Sequence, residues 1–237
     1  MGLFSRKKKS QGNIHMRGFP GHADTCKCLY MAAEKGISLD VELIDMLGDE
    51  EHSPAFRALS PFGKVPCLGE GDFVISGVAA ILPYLDVRGG GQPLSPRKAA
   101  RLGEQNYWIE IGQYKLLPAI NVLLDELVLK PIAVSEHVVD SQAVENAKRK
   151  IAKVLDVLDK TLEGKEFIVG SFSFAEIHWI PYLHLIQVAG QGQLIDDRPS
   201  LKSWFEKMKS RKSGSRTPYQ ALPSLEQIQG KELKYVA

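Results

Sequence analysis

The chain is predicted to fold as an α/β domain followed by an all-helical one, and three observations carry that prediction. Residues 13–88 show strand-like and helix-like patterns in the order βαβ and then ββα. Gly89-Gly90-Gly91-Gln92-Pro93 is the clearest flexible junction in the sequence. Beyond it strand alternation stops and apolar residues recur at helical spacing. At 237 residues, one large or two modest domains are expected, either able to bury a core.

Ile14-His15-Met16-Arg17 reads as a short strand ended by Gly18-Phe19-Pro20-Gly21. Ala23 to Glu34 has helix-forming composition and stops at Gly36. Leu39 to Ile44 alternates apolar and polar residues, as a half-buried strand does. A strand beginning at Val65-Pro66 and the strand Phe73-Val74-Ile75 are joined by Gly69-Glu70-Gly71-Asp72, whose glycines suit a hairpin turn. In the second half, Ile109, Leu116, Leu117, Ile120, Leu123 and Leu124 mark one long helical segment, and Ile151, Val154, Leu155 and Leu158 the next. These are core faces. Ser173 and Glu176 have the spacing of a capping box, with Phe172 and Ile177 placed for a hydrophobic staple. The domain reading is a basic disordered tail over 1–12, the α/β domain over 13–88, a linker over 89–95, the helical domain over 96–212 and an extended tail over 213–237.

Composition excludes several classes. Hydrophobic content of 44% and charged content of 24% are ordinary for a globular protein. No apolar run approaches the roughly 18 residues a membrane span needs, and residues 1–10 lack the apolar stretch of a signal peptide. A cytoplasmic protein without stable membrane insertion is expected. Formal net charge is +2, and Arg6, Lys7, Lys8 and Lys9 supply +4, so the chain after residue 12 stands at −2. That is not a nucleic-acid-binding balance. Cys26, Cys28 and Cys67 form an odd, sparse set that fits neither a zinc site nor a disulfide framework, so no metal is expected.

Ser60-Pro61-Phe62-Gly63-Lys64-Val65-Pro66-Cys67-Leu68 compresses a turn and a strand start around a proline that removes a ladder donor. A cis Val65-Pro66 bond would turn the Val65 N–H and C=O outward, where they can pair with an extended peptide as one added rung of sheet. The plainer reading is an edge strand that begins after a turn.

This segment closely resembles the Asn/Ser-Pro-Phe-Gly-Lys/Gln-Val-Pro-x-Leu motif of the cytosolic glutathione S-transferase superfamily. The similarity extends to Cys28-Leu29-Tyr30-Met31-Ala32-Ala33-Glu34-Lys35-Gly36-Ile37, Ser53-Pro54-Ala55-Phe56, Gly71 to Ile75 and Ala80 to Leu85. It continues at Phe172-Ser173-Phe174-Ala175-Glu176-Ile177 and at Arg198-Pro199-Ser200-Leu201 through Trp204, spanning roughly residues 13–212. The resemblance implies a thioredoxin-like N-terminal domain with a mixed four-stranded sheet, an all-helical C-terminal domain, and a homodimer. It implies an enzyme that uses glutathione as co-substrate and transfers its thiolate to a small hydrophobic electrophile.

In that family the thiolate sits at the N-terminus of the first helix, where free amides and the helix dipole favour negative charge, and a Tyr, Ser or Cys side chain completes its hydrogen bond. Aligned without gaps, this chain places Arg17 and Gly18 where Tyr would stand and His22 where Ser or Cys would stand, with Thr25 and Cys26 about one turn on. His22, Thr25 and Cys26 are the candidate catalytic residues. The glutathione-binding candidates are Val65 and Pro66 for the backbone rung, His52 and Lys64 near the glycine-carboxylate positions, and Ser76, Gly77 and Val78 near the γ-glutamyl end. Gly77 and Val78 replace the family's Glu/Asp-Ser pair. Two further readings stay open: a binding or regulatory protein that keeps the fold without the chemistry, and a Cys26-dependent thiol-disulfide or dehydroascorbate-type reductase.

Overall fold

The computed structural model describes residues 13–19, 21–46, 49–134, 136–211 and 213–214. The basic tail over 1–12, and the extended tail apart from residues 213 and 214, lie outside the described residues. Strand β1 (Ile14–Gly18) runs parallel to β2 (Leu39–Leu43) and antiparallel to β3 (Cys67–Glu70), which pairs antiparallel with β4 (Phe73–Ser76). The sheet order is β2-β1-β3-β4, the mixed four-stranded sheet expected. Helix α1 (Ala23–Glu34) supplies the crossover that parallel β1 and β2 require. It ends where Lys35 leads into Gly36, whose φ of 65° favours a residue without Cβ.

Register divides the sheet into two faces. Met16 pairs with Leu68 and Arg17 with Cys67, so Ile14, Met16 and Leu68 enter the core under α1 and α3 (Val78–Arg88). The opposite face carries His15, Arg17, Asp40, Glu42, Gly69 and Val74. Cross-strand pairs cover it, with His15 Nδ1 2.9 Å from Asp40 and Arg17 Nε 2.6 Å from Glu42. The short α2 (Pro54–Arg57) starts at Ser53, whose hydroxyl accepts the Phe56 N–H at 3.2 Å.

The second half is helical. Helices α4 (Ala99–Ile111), α5 (Leu117–Leu124) and α6 (Lys130–Ala133) form one run, broken by wider turns at Gly112–Leu116 and Asp125–Leu129. Each wide turn lies just before a proline, Pro118 or Pro131. A proline ring crowds the carbonyl four residues back and offers no N–H, and a π turn at that point accommodates both. Helix α7 (Ser141–Leu162) is capped by Asp140, which accepts the Ala143 N–H at 2.9 Å, and buries Ile151, Leu155 and Leu158 along one stripe.

Helix α8 (Phe174–Val188) is buried over nearly its whole length and packs on α1, α4, α5 and α10 (Pro199–Ser210), the last preceded by the short α9 (Gln193–Asp196). Its capping box forms as the spacing predicts. Glu176 accepts the Ser173 N–H and hydroxyl, each at 2.8 Å, and the Ile168 N–H at 2.7 Å. Phe172 stacks on Tyr30 and meets Phe167 edge-on.

Residues 89–95 are tied down. Buried Lys35 reaches Asp86 at 3.0 Å and donates to the Gln92 carbonyl, while Asp86 accepts the Leu94 N–H at 3.0 Å. Three further contacts fix α1 to the helical half. Lys27 reaches α8, the Tyr30 hydroxyl donates to the Met208 carbonyl at 3.0 Å, and Glu34 pairs with Arg211 at 2.8 Å. Among the described residues, no helix is long and apolar enough to cross a membrane.

Candidate functional site

The site is assembled where the C-terminal end of β1, the start of α1 and the loop before β3 meet. The Val65–Pro66 peptide bond is cis. Its loop is set by buried Ser60, whose hydroxyl accepts the Lys64 N–H at 2.9 Å and donates to the Lys64 carbonyl at 3.0 Å. The Val65 N–H and C=O make no hydrogen bond among the described residues. A Cβ added at Gly18 would lie 2.7 Å from Thr25 Cγ2 and 3.3 Å from Pro66 Cβ, so the glycine permits β1, α1 and the Pro66 loop to converge. Gly77, at a φ of 88°, donates to the Pro66 carbonyl at 3.2 Å and brings the start of α3 to the same place.

His22 is the N-cap residue of α1, but its side chain makes no capping bond. Its Nδ1 is buried without a hydrogen-bond partner. Burial lowers its pKa, Asp24 and Glu51 oppose the shift, and Lys27 and Lys64 reinforce it. The ring is therefore a neutral imidazole at neutral pH, with one N–H to donate. Thr25 is fully buried and accepts the Phe19 N–H at 3.3 Å, which ties the β1–α1 turn together. Cys26 lies in the hydrophobic core at 1% exposure.

The glutathione-binding candidates divide in the same way. The Val65–Pro66 turn meets Gly77 on one side and Gly18 on the other, and the first amides of α3, including that of Val78, have no acceptor within their helix. Ser76 pairs in register with Cys67, on the sheet face opposite α1. Lys64 is exposed on the turn, and His52, beside Gly63 of the same turn, has its Nδ1 2.6 Å from Asp49.

Glu51 and Lys27 were not singled out by the sequence reading. Glu51 sits in the turn before α2 with only 12% of its side chain exposed, and its Oε2 is buried without a partner. Lys27 is completely buried. Its ammonium donates to Asp24 and to the Tyr182 hydroxyl at 2.7 Å each, and the Tyr182 hydroxyl donates in turn to Gln113 at 3.0 Å. Burial alone would pull the Lys27 pKa down, but Tyr182 and Asp24 together raise it above its ordinary value. Below this network, burial drives His178 well under its usual pKa, and Lys27 adds to the effect. Gly112 makes the Gln113 contact possible, since a Cβ there would stand 3.0 Å from the Tyr182 ring.

A separate hollow of about 260 Å³ lies on the outer sheet face, lined by His15, Arg17, Glu42, Gly69 and Val74 among others, and includes none of the residues around His22. Its charged walls, Arg17 and Glu42, already pair with each other.

Comparison with known proteins adds the family. Residues 25–88 match the family "Glutathione S-transferase, N-terminal domain" and residues 124–212 match "Glutathione S-transferase, C-terminal domain". Glutathione S-transferase F14 of Arabidopsis thaliana is 32% identical over 199 residues, covering 80% of this chain and 76% of that protein. Glutathione S-transferase F10 of the same plant is 28% identical over 196 residues, covering 81% of this chain and 90% of that protein. Glutathione S-transferase I from maize, solved with an atrazine glutathione conjugate, superposes with a TM-score of 0.78 at 20% identity, over 93% of this chain and 100% of that one. With both domain families matched in order, and a third of the positions shared with a relative along most of its length, this chain belongs to the glutathione S-transferase family.

Proposed function

We propose that the chain is a glutathione transferase that holds the tripeptide along the Val65–Pro66 turn and conjugates its thiolate to a small hydrophobic electrophile. The observation that carries this reading is the free Val65 N–H and C=O beside the start of α1. Those two groups accept a cysteinyl unit as an added strand. The sulfur then lies at the N-terminus of α1, where unpaired amides stabilise a thiolate. The neutral His22 can donate its N–H to that thiolate. In the transfer, the sulfur forms a bond to the electrophilic carbon, the leaving group departs with its electron pair, and the thiol proton passes to solvent.

The maize neighbour's conjugate supports the same reaction class. We extend to this chain the homodimer that the family resemblance implies, with Phe62, 88% exposed at the tip of the Ser60–Lys64 turn, as an apolar side chain available to such an interface. Three cysteines that remain free thiols support a reducing, cytoplasmic location.

A second reading, a binding or regulatory protein, is favoured by Gly77 and Val78, which offer no carboxylate to the glutathione amine. The Cys26-dependent reductase is disfavoured by the burial of that thiol in the core. Isothermal titration with reduced glutathione tests the proposal. We expect micromolar to low-millimolar binding, with conjugation of an aryl halide that is weakened in His22→Phe and retained in Cys26→Ser. An absence of binding up to roughly 10 mM would refute it and favour the second reading.

A further inference from the structure

We propose that the hollow on the outer sheet face is a binding site for a small, uncharged, planar aromatic molecule, separate from the thiol site. Strand register explains why the hollow exists. Asp40, His15, Gly69 and Val74 stand in one row across β2, β1, β3 and β4, and Glu42, Arg17, Cys67 and Ser76 stand in the next. The first row lacks a side chain at Gly69, so His15 and Val74 stand apart by two strand spacings, about 10 Å. No other side chain fills the slot: a Cβ built at Gly69 meets only the Phe73 carbonyl at 3.7 Å and Val74 Cγ2 at 3.9 Å. What remains is the volume of about 260 Å³ over a floor of bare peptide, with Leu59 as a further apolar wall.

The lining selects the ligand. A peptide floor between apolar walls suits a flat ring laid along the strand. Arg17 uses its Nε for Glu42 at 2.6 Å, and its other guanidinium N–H groups bond to no described residue. A guanidinium held in this way stacks on an aromatic face and donates to a ring substituent, which favours an aromatic ligand over an aliphatic one. Charge at the hollow is already balanced, since Arg17 faces Glu42 and His15 Nδ1 lies 2.9 Å from Asp40. An anion would confront both carboxylates, and a cation would have to displace Arg17 or His15 from them. The volume falls just below the roughly 300–1,000 Å³ of drug-sized sites, which limits the ligand to one ring or two fused rings. Arg17 and Cys67 belong to the sheet face turned away from α1, so a molecule held here is not placed for transfer to a sulfur at the start of that helix.

The test is titration of the full chain with 2-naphthol, followed by naphthol fluorescence and by backbone amide NMR shifts, with 2-naphthoate as the charged comparison. The wild type should bind 2-naphthol with shifts concentrated at the amides of His15, Gly69 and Val74, and should bind 2-naphthoate at least about tenfold more weakly. Gly69→Val fills the slot with a residue suited to a strand, and should weaken 2-naphthol binding at least about tenfold. Absence of 2-naphthol binding up to about 1 mM would overturn the inference. Shifts concentrated elsewhere, or full affinity in folded Gly69→Val, would do the same. Binding of 2-naphthoate as tight as that of 2-naphthol would overturn the uncharged class. The wild-type shifts decide the matter if the variant fails to fold, and no outcome bears on the transferase reading.

Discussion

Replacing Lys27 by methionine probes the contact between the two halves most directly. Methionine keeps the length of the stem and removes the ammonium, so two charge-assisted hydrogen bonds are lost, one to Asp24 and one to Tyr182. Each such bond contributes about 1.5–3 kcal/mol, a loss of roughly 3–6 kcal/mol. Against this, the variant no longer buries an ammonium, which recovers several kcal/mol. Asp24 remains 23% exposed, so water relieves part of its lost pairing. The Tyr182 hydroxyl keeps Gln113 as its acceptor. The balance is a destabilisation of about 2 kcal/mol, which for a chain of this length corresponds to a fall in Tm of about 4–8 °C.

Urea denaturation at pH 7, followed by far-UV circular dichroism, measures it. Because the folded-state pKa of Lys27 is raised, its contribution is present in full below the unfolded value near 10.5 and is lost as pH rises through the folded value. The difference between wild type and Lys27→Met should therefore be constant from pH 7 to about 10 and shrink only above 10.5. A variant as stable as the wild type, or more so, would refute the reasoning and mean that desolvation dominates this network.

Glu176→Gln should cost about 3 kcal/mol in chemical denaturation, since one of the two carboxyl oxygens becomes an NH2 group that faces the Ile168 or Ser173 donors instead of accepting from them. Burial raises the Glu176 pKa to about 7, so its contribution is complete below the unfolded value near 4.5 and is lost as pH rises toward 7. The penalty in the glutamine variant should accordingly be larger at pH 5 than at pH 8. His184 has the opposite sign. Burial against Phe205 lowers its pKa to about 4, so stability should fall by up to about 3 kcal/mol as pH drops from 6.5 to 4, and His184→Phe should flatten that slope in thermal melts. Gly112→Ala should destabilise by about 1–2 kcal/mol despite alanine's better helix propensity, because Tyr182 is fixed by Lys27 and Gln113 and cannot yield to the new methyl. A stabilised alanine variant would show that the ring can shift.

The sheet, α1 and the capping box were legible because each rests on local chemistry: alternation in Leu39–Leu43, a glycine stop at Gly36, and Ser and Glu three residues apart. The wide turns at Gly112–Leu116 and Asp125–Leu129 were not, since over five residues an apolar pattern does not distinguish a π turn from an α turn. Pro118 and Pro131 were the available signal. Lys27 and Glu51 escaped because charged residues in a helix and an acidic turn read as solvated surface. Their burial depends on Tyr182, far along the chain, and on the fold of the 60–64 turn. The glycine run after Arg88 read as loose for the same reason. Nothing local to it reveals that Lys35 and Asp86 grip residues 92–94.

Helix α1 belongs to both halves of the molecule. Its N-terminal end frames the proposed thiol site, and its side chains at Lys27, Tyr30 and Glu34 reach across to Tyr182, the Met208 carbonyl and Arg211. Chimaeras that join residues 13–88 of this chain to the helical half of a relative would therefore inherit a cation, a phenol and a carboxylate seeking specific counterparts. Recombination between family members should succeed when the donor of the second half supplies those three counterparts, and should yield insoluble protein when it does not. Domain exchange is thus filtered here by the far side of one helix, away from the candidate catalytic residues.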